Sequence, residues 1–239
     1  MNDKKEIARL EGVATESIYA DGANGVMIRY TFEILRRFFD GGSILELGPA
    51  EGLLSEKLCE LSSNVTLVDG SEHFCKMLRN DLPQAHIECC LFEDYEPAEK
   101  FDMIVMGHVL EHVIDPVSII ELAAKWLAPG GCIFAAVPNS RSIHRQAAVT
   151  MGLLEQEDSM SELDIRHGHR RVFNPETFRA CFTMAGMTID SFGGYWLKPV
   201  SNSQIEETWT SDMLNAFLHL GERYPDIAAE NYVVARKKH

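Results

Sequence analysis

The chain has 239 residues, 46% of them hydrophobic and 24% charged, which suits one packed domain and is too apolar for a disordered chain. Asp and Glu number 36 against 22 Lys and Arg, and the resulting formal charge of −14 disfavours a general nucleic-acid or membrane partner. The six cysteines form no CxxC pair and are expected to be free thiols, and the charged start MNDKKEIARLEG has no apolar leader core, so the expected compartment is the cytoplasm.

Residues 4–20 and 24–39 read as helices, the second gathering Met27, Ile28, Phe32, Leu35 and Phe39 near one face. From 43 to 137, short β-branched runs alternate with amphipathic stretches, the pattern of βαβ units and a parallel sheet. Strands are expected at 43–47, 65–69, 85–90, 101–107 and 131–138, and helices at 52–61, 72–81 and 116–127, the last ended by Pro129-Gly130-Gly131. Segment 140–173 has mixed charge and no clean period; a stretch that long in a compact domain is functional or carries structure of its own. A helix opens near Pro175, and strands at 187–196 and 231–237 bring the count to seven. We expect a single domain over 1–239, with no internal repeat.

The first strand runs straight into Gly48-Pro49-Ala50-Glu51-Gly52 and then a helix, a turn where small residues let a ligand approach backbone amides. A dinucleotide fingerprint would need glycine at 50 and 53, where Ala50 and Leu53 stand, and a GxxxxGK[ST] phosphate loop is absent. Asp69 ends the second strand 21 residues after Gly48, where an acid is placed to grip ribose hydroxyls; as an alternative it caps the helix that follows.

The run Glu46-Leu47-Gly48-Pro49-Ala50-Glu51-Gly52 resembles motif I of the class I S-adenosylmethionine (SAM)-dependent methyltransferases, E/D-x-G-x-G-x-G, with Ala50 in place of the middle glycine, a change that a negative φ at 50 would accommodate. Phe101-Asp102-Met103-Ile104 and Val109-Leu110-Glu111-His112-Val113 resemble motif IV of the branch that includes the ubiquinone-pathway methyltransferases. The resemblance implies a Rossmann-like seven-stranded mixed sheet flanked by helices, in the order 3-2-1-4-5-7-6, with ligands at the carboxyl ends of the strands. It implies SAM as cofactor and S-adenosylhomocysteine as product. Glu46 would serve the methionyl ammonium, Gly48, Ala50 and Gly52 the close approach, Asp69 and Gly70 the ribose, Leu91 and Phe92 the adenine faces, and Gly107 and His108 the methionine and acceptor side. Glu93 is the nearest stand-in for the adenine-binding Asp that the family often has at Cys90. Residues 43–139 form the cofactor core, 1–40 lid helices bearing Tyr19, Met27, Arg29 and Tyr30, 140–173 an acceptor-side insertion, and 174–239 the rest of the sheet.

His108-Val109-Leu110-Glu111-His112 also satisfies H-x-x-E-H, a zinc-hydrolase signature that requires a helix through all five residues; here they follow a strand and precede Asp115-Pro116, so no metal is expected. The segment Asp164 to Arg171 gathers Arg166, Arg170 and Arg171 with His167 and His169, a cluster suited to an anion, which with Tyr195 makes a candidate acceptor site; its alternative is a solvated loop paired with nearby carboxylates. The expectation is O-methylation of a carboxylate-like group on a small metabolite or modified peptide, as in natural-product pathways, by a monomer or homodimer. Methylation of an amine or hydroxyl with His108, His167 or His169 as base is the close alternative, and a SAM-binding module without transferase activity the more distant one. Asn139, Trp196 and Lys198 are further candidates to face the acceptor.

Overall fold

The computed structural model describes residues 3–15 and 22–238. Seven strands, β1 (Ile44–Leu47), β2 (Val65–Asp69), β3 (His86–Cys89), β4 (Phe101–Gly107), β5 (Leu127–Pro138), β6 (Met187–Tyr195) and β7 (Glu230–Lys237), form one sheet in the order β3-β2-β1-β4-β5-β7-β6. The first five run parallel, and β7 is antiparallel to both β5 and β6. β1 and β2 are buried along their whole length because helices cover both faces, which is why their sequences are continuous apolar runs.

One face is covered by α2 (Gly22–Leu35), α3 (Leu53–Leu61) and α4 (Glu72–Asp81), which bury Ile34, Leu35, Leu58 and Leu78 against the sheet. The other carries α5 (Pro116–Trp126) and α8 (Pro175–Met184), with Ile120, Phe178 and Phe182 fully buried. The helix start signals act as expected: Ser71 caps α4 by accepting from Phe74 N, and Asp115 caps α5 ahead of Pro116. β5 begins earlier than expected, at Leu127, because that residue is already extended and pairs with Phe101, with an irregularity in the β4 register absorbing the Pro-Gly-Gly turn.

α1 spans Asp3–Thr15 among the described residues, and residues 16–20 of the expected helix, Tyr19 among them, lie outside them. α2 gives way at Arg36 to a single 3-10 turn. The 140–173 segment does carry structure: α6 (Ile143–Thr150), α7 (Glu162–Arg166) and a bridge from Asn139 to Phe173 that closes it on itself. Its centre is Arg145, 8% exposed, whose guanidinium donates to the carbonyls of Glu157 and Ser159 and to Asp164 Oδ2. Between β6 and β7 lie α9 (Asn202–Thr208) and α10 (Ser211–Gly221), not anticipated from the sequence. No described helix is long and apolar enough to cross a membrane. All six cysteines are free thiols.

Candidate active site

The reversal of strand order falls between β1 and β4, and a cleft opens at their carboxyl ends. Its wall is the turn after β1, with Glu46, Gly48, Ala50 and Glu51, faced by Gly107 and His108 from β4 and by Ile28 and Thr31 from α2. The turn alternates into left-handed backbone at Gly48, Ala50 and Gly52, with φ of 67°, 48° and 82°. At Gly48 a side chain is also excluded by space, since a Cβ there would meet Val109 Cγ2 at 2.9 Å. Ala50 does not keep the negative φ that its substitution for glycine called for. An L-residue in this region is strained by about 1 kcal/mol, and its neighbours hold it there.

Glu46 is 2% exposed and receives a 2.5 Å hydrogen bond from Ser55 Oγ of α3. Burial, reinforced by the charge of Asp69 and only partly offset by Ser55, pushes its pKa up to about 7. Asp69 is buried too, and loss of water raises it to about 6 against the amides of Ser71 and Ala50, which stabilise its ionised form. Its Oδ1 accepts from Ser71 N at 2.8 Å, the Ala50 amide ties it to the glycine turn, and the capping of α4 falls to Ser71. Two costly carboxylates thus flank a small-residue turn, a site that gains from a ligand offering an ammonium and hydroxyls.

Beside Asp69, Gly70 packs so closely that a Cβ would meet Leu10 of α1 at 2.6 Å and Leu91 at 3.2 Å, and Phe92 reaches toward Gly48. α1 is fastened here by Glu11, whose carboxylate accepts from Glu72 N. Glu93 is exposed, on a 3-10 turn from Phe92 to Asp94. Of the residues expected in a lid, Met27 and Tyr30 turn into the core and Arg29 is exposed; Tyr30 hydrogen-bonds His219 and Glu222. The α2 residues that reach the cleft are Ile28 and Thr31, one helical turn apart in an apolar stripe that sequence alone assigns to core.

His108 stands at the far end of the cleft with φ of 59°, and its Nε2 is 3.2 Å from Glu230 Oε2, both side chains less than 10% exposed. Burial disfavours the imidazolium, but the charges of Glu230 and Glu111 outweigh it, and the pKa of His108 is raised above its ordinary value. The chain after β4 forms turns rather than a helix, so the helical geometry of H-x-x-E-H does not form, and His112 faces His169 instead, their rings edge-on at 4.7 Å. Glu111, His112 and His169 each bring a donor atom within 4.8 Å of the others, an arrangement that could hold a divalent ion. Burial lifts Glu111 to about 7, drives His112 well below the imidazole range and takes His169 down to about 4. His167 is half-buried, and its pKa is lowered by that burial.

Two arginines of the expected anion cluster have partners in the fold. Arg170 donates to His112 O and to both oxygens of Glu6, and Arg171 donates to the carbonyls of Leu110, Val113 and Ile114; together they brace the turn after β4, whose carbonyls have no helix to bond to. Arg166 is exposed at the end of α7. Tyr195 is fully buried, its hydroxyl 2.7 Å from Thr31 Oγ1, so it supports a cleft residue from behind instead of touching an acceptor. Asn139 is likewise structural, donating to Asp226 O and Ala228 O. Lys198 donates to Asn202 Oδ1 and lies 4.7 Å over the Trp196 ring; enclosure lowers its pKa to about 8 despite the nearby charge of Glu230.

Residues 20–191 match the model of a methyltransferase-domain family. A ubiquinone biosynthesis O-methyltransferase of Idiomarina loihiensis is 28% identical over 99% of this chain and 93% of its own length, and the human mitochondrial enzyme of that name is 29% identical over 65% of this chain and 46% of its own. Among solved structures, the N-methyltransferase NodS of Bradyrhizobium japonicum, in complex with S-adenosylhomocysteine, aligns over the whole of both chains with a TM-score of 0.64 at 15% identity, a likeness of fold. The plantazolicin methyltransferase BpumL, also with S-adenosylhomocysteine, gives 0.60 at 16% over 99% of each chain.

Proposed function

The chain belongs to the SAM-dependent methyltransferase family, and from that premise we propose that it methylates a hydroxyl oxygen of a small molecule, with His108 taking the proton. The observation that carries this reading is that His108 lines the cleft beside Gly107, with its imidazole held against a buried carboxylate. A hydroxyl is a weak nucleophile until its proton leaves, and an imidazole is suited to receive it. The relatives named as O-methyltransferases favour oxygen over nitrogen. A carboxylate acceptor needs no base, and the arginine cluster that suggested one has two of its three guanidinia engaged in bracing the fold.

Glu46 would receive the ammonium of SAM and Asp69 the ribose hydroxyls, and Gly48 and Ala50 would let the methionine portion lie against the backbone. SAM would supply an electrophilic methyl on sulfonium. The acceptor oxygen would be held in line with that carbon, the electron pair of the breaking carbon–sulfur bond would stay on sulfur, and the hydroxyl proton would pass to His108.

The reading is tested by incubating the protein and SAM with a panel of phenols, carboxylic acids and amines and identifying products by mass spectrometry. Methyl ethers are expected. Esters as the dominant product would overturn it. His108→Gln should keep SAM affinity within a few-fold and lose about 100-fold or more in turnover.

A further inference from the structure

We propose that Glu230 is the positioning residue for His108, fixing which ring nitrogen carries the proton and balancing the imidazolium that forms during transfer. The inference rests on the proposed base role of His108 and deepens it. Glu230 is the first residue of β7, and because β7 alone runs antiparallel between β5 and β6, its start, rather than its end, lies at the carboxyl rim of the parallel strands. There Glu230 pairs with Pro138 of β5 and Tyr195 of β6, two residues anchored in the sheet. The carboxylate sits in an otherwise apolar stretch after Ala228 and Ala229 and is 6% exposed, a burial that carboxylates avoid unless a partner repays it. The partner is His108 Nε2 at 3.2 Å.

Backbone strain marks the same place. Of three non-glycine residues with positive φ among those described, two flank this contact: His108 itself, at 59°, and Trp196, at 64°, whose carbonyl accepts from Ala229 N immediately before Glu230. Strain held by surrounding structure on both sides of one ion pair suits a fixed orientation of the ring. With Glu230 ionised, the imidazole proton is favoured on Nε2, beside the carboxylate. When the ring takes the proton of the acceptor it becomes cationic beside an anion, and the proton is lost to solvent afterwards. The other charged groups around the pair are Glu111 and His112 in the turn that follows His108, His169 from the insertion, and Lys198 after β6, which faces Glu230.

The test compares wild type, Glu230→Gln, Glu230→Asp and His108→Gln as SAH complexes. Gln keeps shape and an acceptor oxygen but removes the charge. Nitrogen-15 NMR of the imidazoles needs no acceptor: in wild type His108 should carry its proton on Nε2 and titrate above the free imidazole, and in Glu230→Gln its midpoint should fall by one pH unit or more. In turnover with a hydroxyl acceptor found by the panel, Glu230→Gln should lose about 10- to 100-fold in kcat, keep its KM for SAM within three-fold, and shift the acid limb of the kcat profile down, with Glu230→Asp recovering part of the loss. An unchanged His108 midpoint in Glu230→Gln overturns the proposal, as does wild-type kcat in that variant. Full activity of His108→Gln would instead remove the base role itself, so the two failures are distinguishable.

Discussion

Ser55 Oγ lies 2.5 Å from Glu46 Oε2, so the first turns of α3 supply a hydrogen bond to a carboxylate that β1 carries into the core. The bond does not offset burial, and Glu46 holds its proton up to about pH 7. A carboxyl whose folded pKa is raised from 4.5 stabilises the fold below its unfolded pKa and loses that contribution as pH rises through the folded one. Glu46→Gln, neutral throughout, should therefore gain in Tm relative to wild type between pH 5 and 8 without ligand, the difference approaching about 3 kcal/mol at the upper end. In the proposed function the ionised carboxylate receives the ammonium of SAM. Wild-type affinity for SAM should fall as pH drops below 7, and that of Glu46→Gln should be weaker and flat, as calorimetry at several pH values would show.

Asp69 offers a second handle on the cofactor. The amides of Ser71 and Ala50 donate to it and hold the loop, and in the proposed function the same carboxylate faces the ribose. Asp69→Asn should preserve much of the loop geometry and weaken SAM binding about 10-fold, and Asp69→Ala should cost more and lower Tm. Unchanged calorimetric affinity in both would contradict the ribose role.

At position 50 the backbone is left-handed and the residue is alanine. Ala50→Gly removes about 1 kcal/mol of strain, partly offset by the greater freedom of glycine in the unfolded chain, so Tm should rise slightly and SAM affinity should hold. Ala50→Val, β-branched at positive φ, should lower both, with a loss of 10-fold or more in affinity. A valine variant that binds as wild type would show that the turn adopts another conformation when loaded.

The sheet order was legible because each parallel strand is a short apolar run with a helix pattern behind it, and the turn at Gly48 to Gly52 together with Asp69 marks where the order reverses. The cofactor side of the site follows from that local pattern. The acceptor side does not: His108 and Glu230 are 122 positions apart, and only the antiparallel return of β7 brings them together. Arg170 and Arg171 looked like an anion site because sequence shows charge and not partners; the carbonyls of residues 110–114 that engage them are orphaned by a turn that spacing alone does not reveal. The αL backbone at Ala50 was hidden for a related reason, since alanine signals no preference for positive φ. α9 is short and buries Ile205 alone, and α10 buries Leu218 and Gly221.

Arg171 distinguishes a brace from a binding residue. Its guanidinium bonds to the carbonyls of Leu110, Val113 and Ile114, in the turn that begins at His108. Removing it leaves these partly buried carbonyls without a donor, at about 1–3 kcal/mol, and loosens the segment that aims the imidazole. Arg171→Ala should therefore lower Tm by several degrees and kcat about 10-fold while leaving the preference between charged and neutral acceptors unchanged. Arg171→Lys keeps the charge but cannot spread its donors over three carbonyls, and should recover little of either loss. A selective rise in KM for anionic acceptors, with Tm and kcat intact, would return this arginine to the acceptor site.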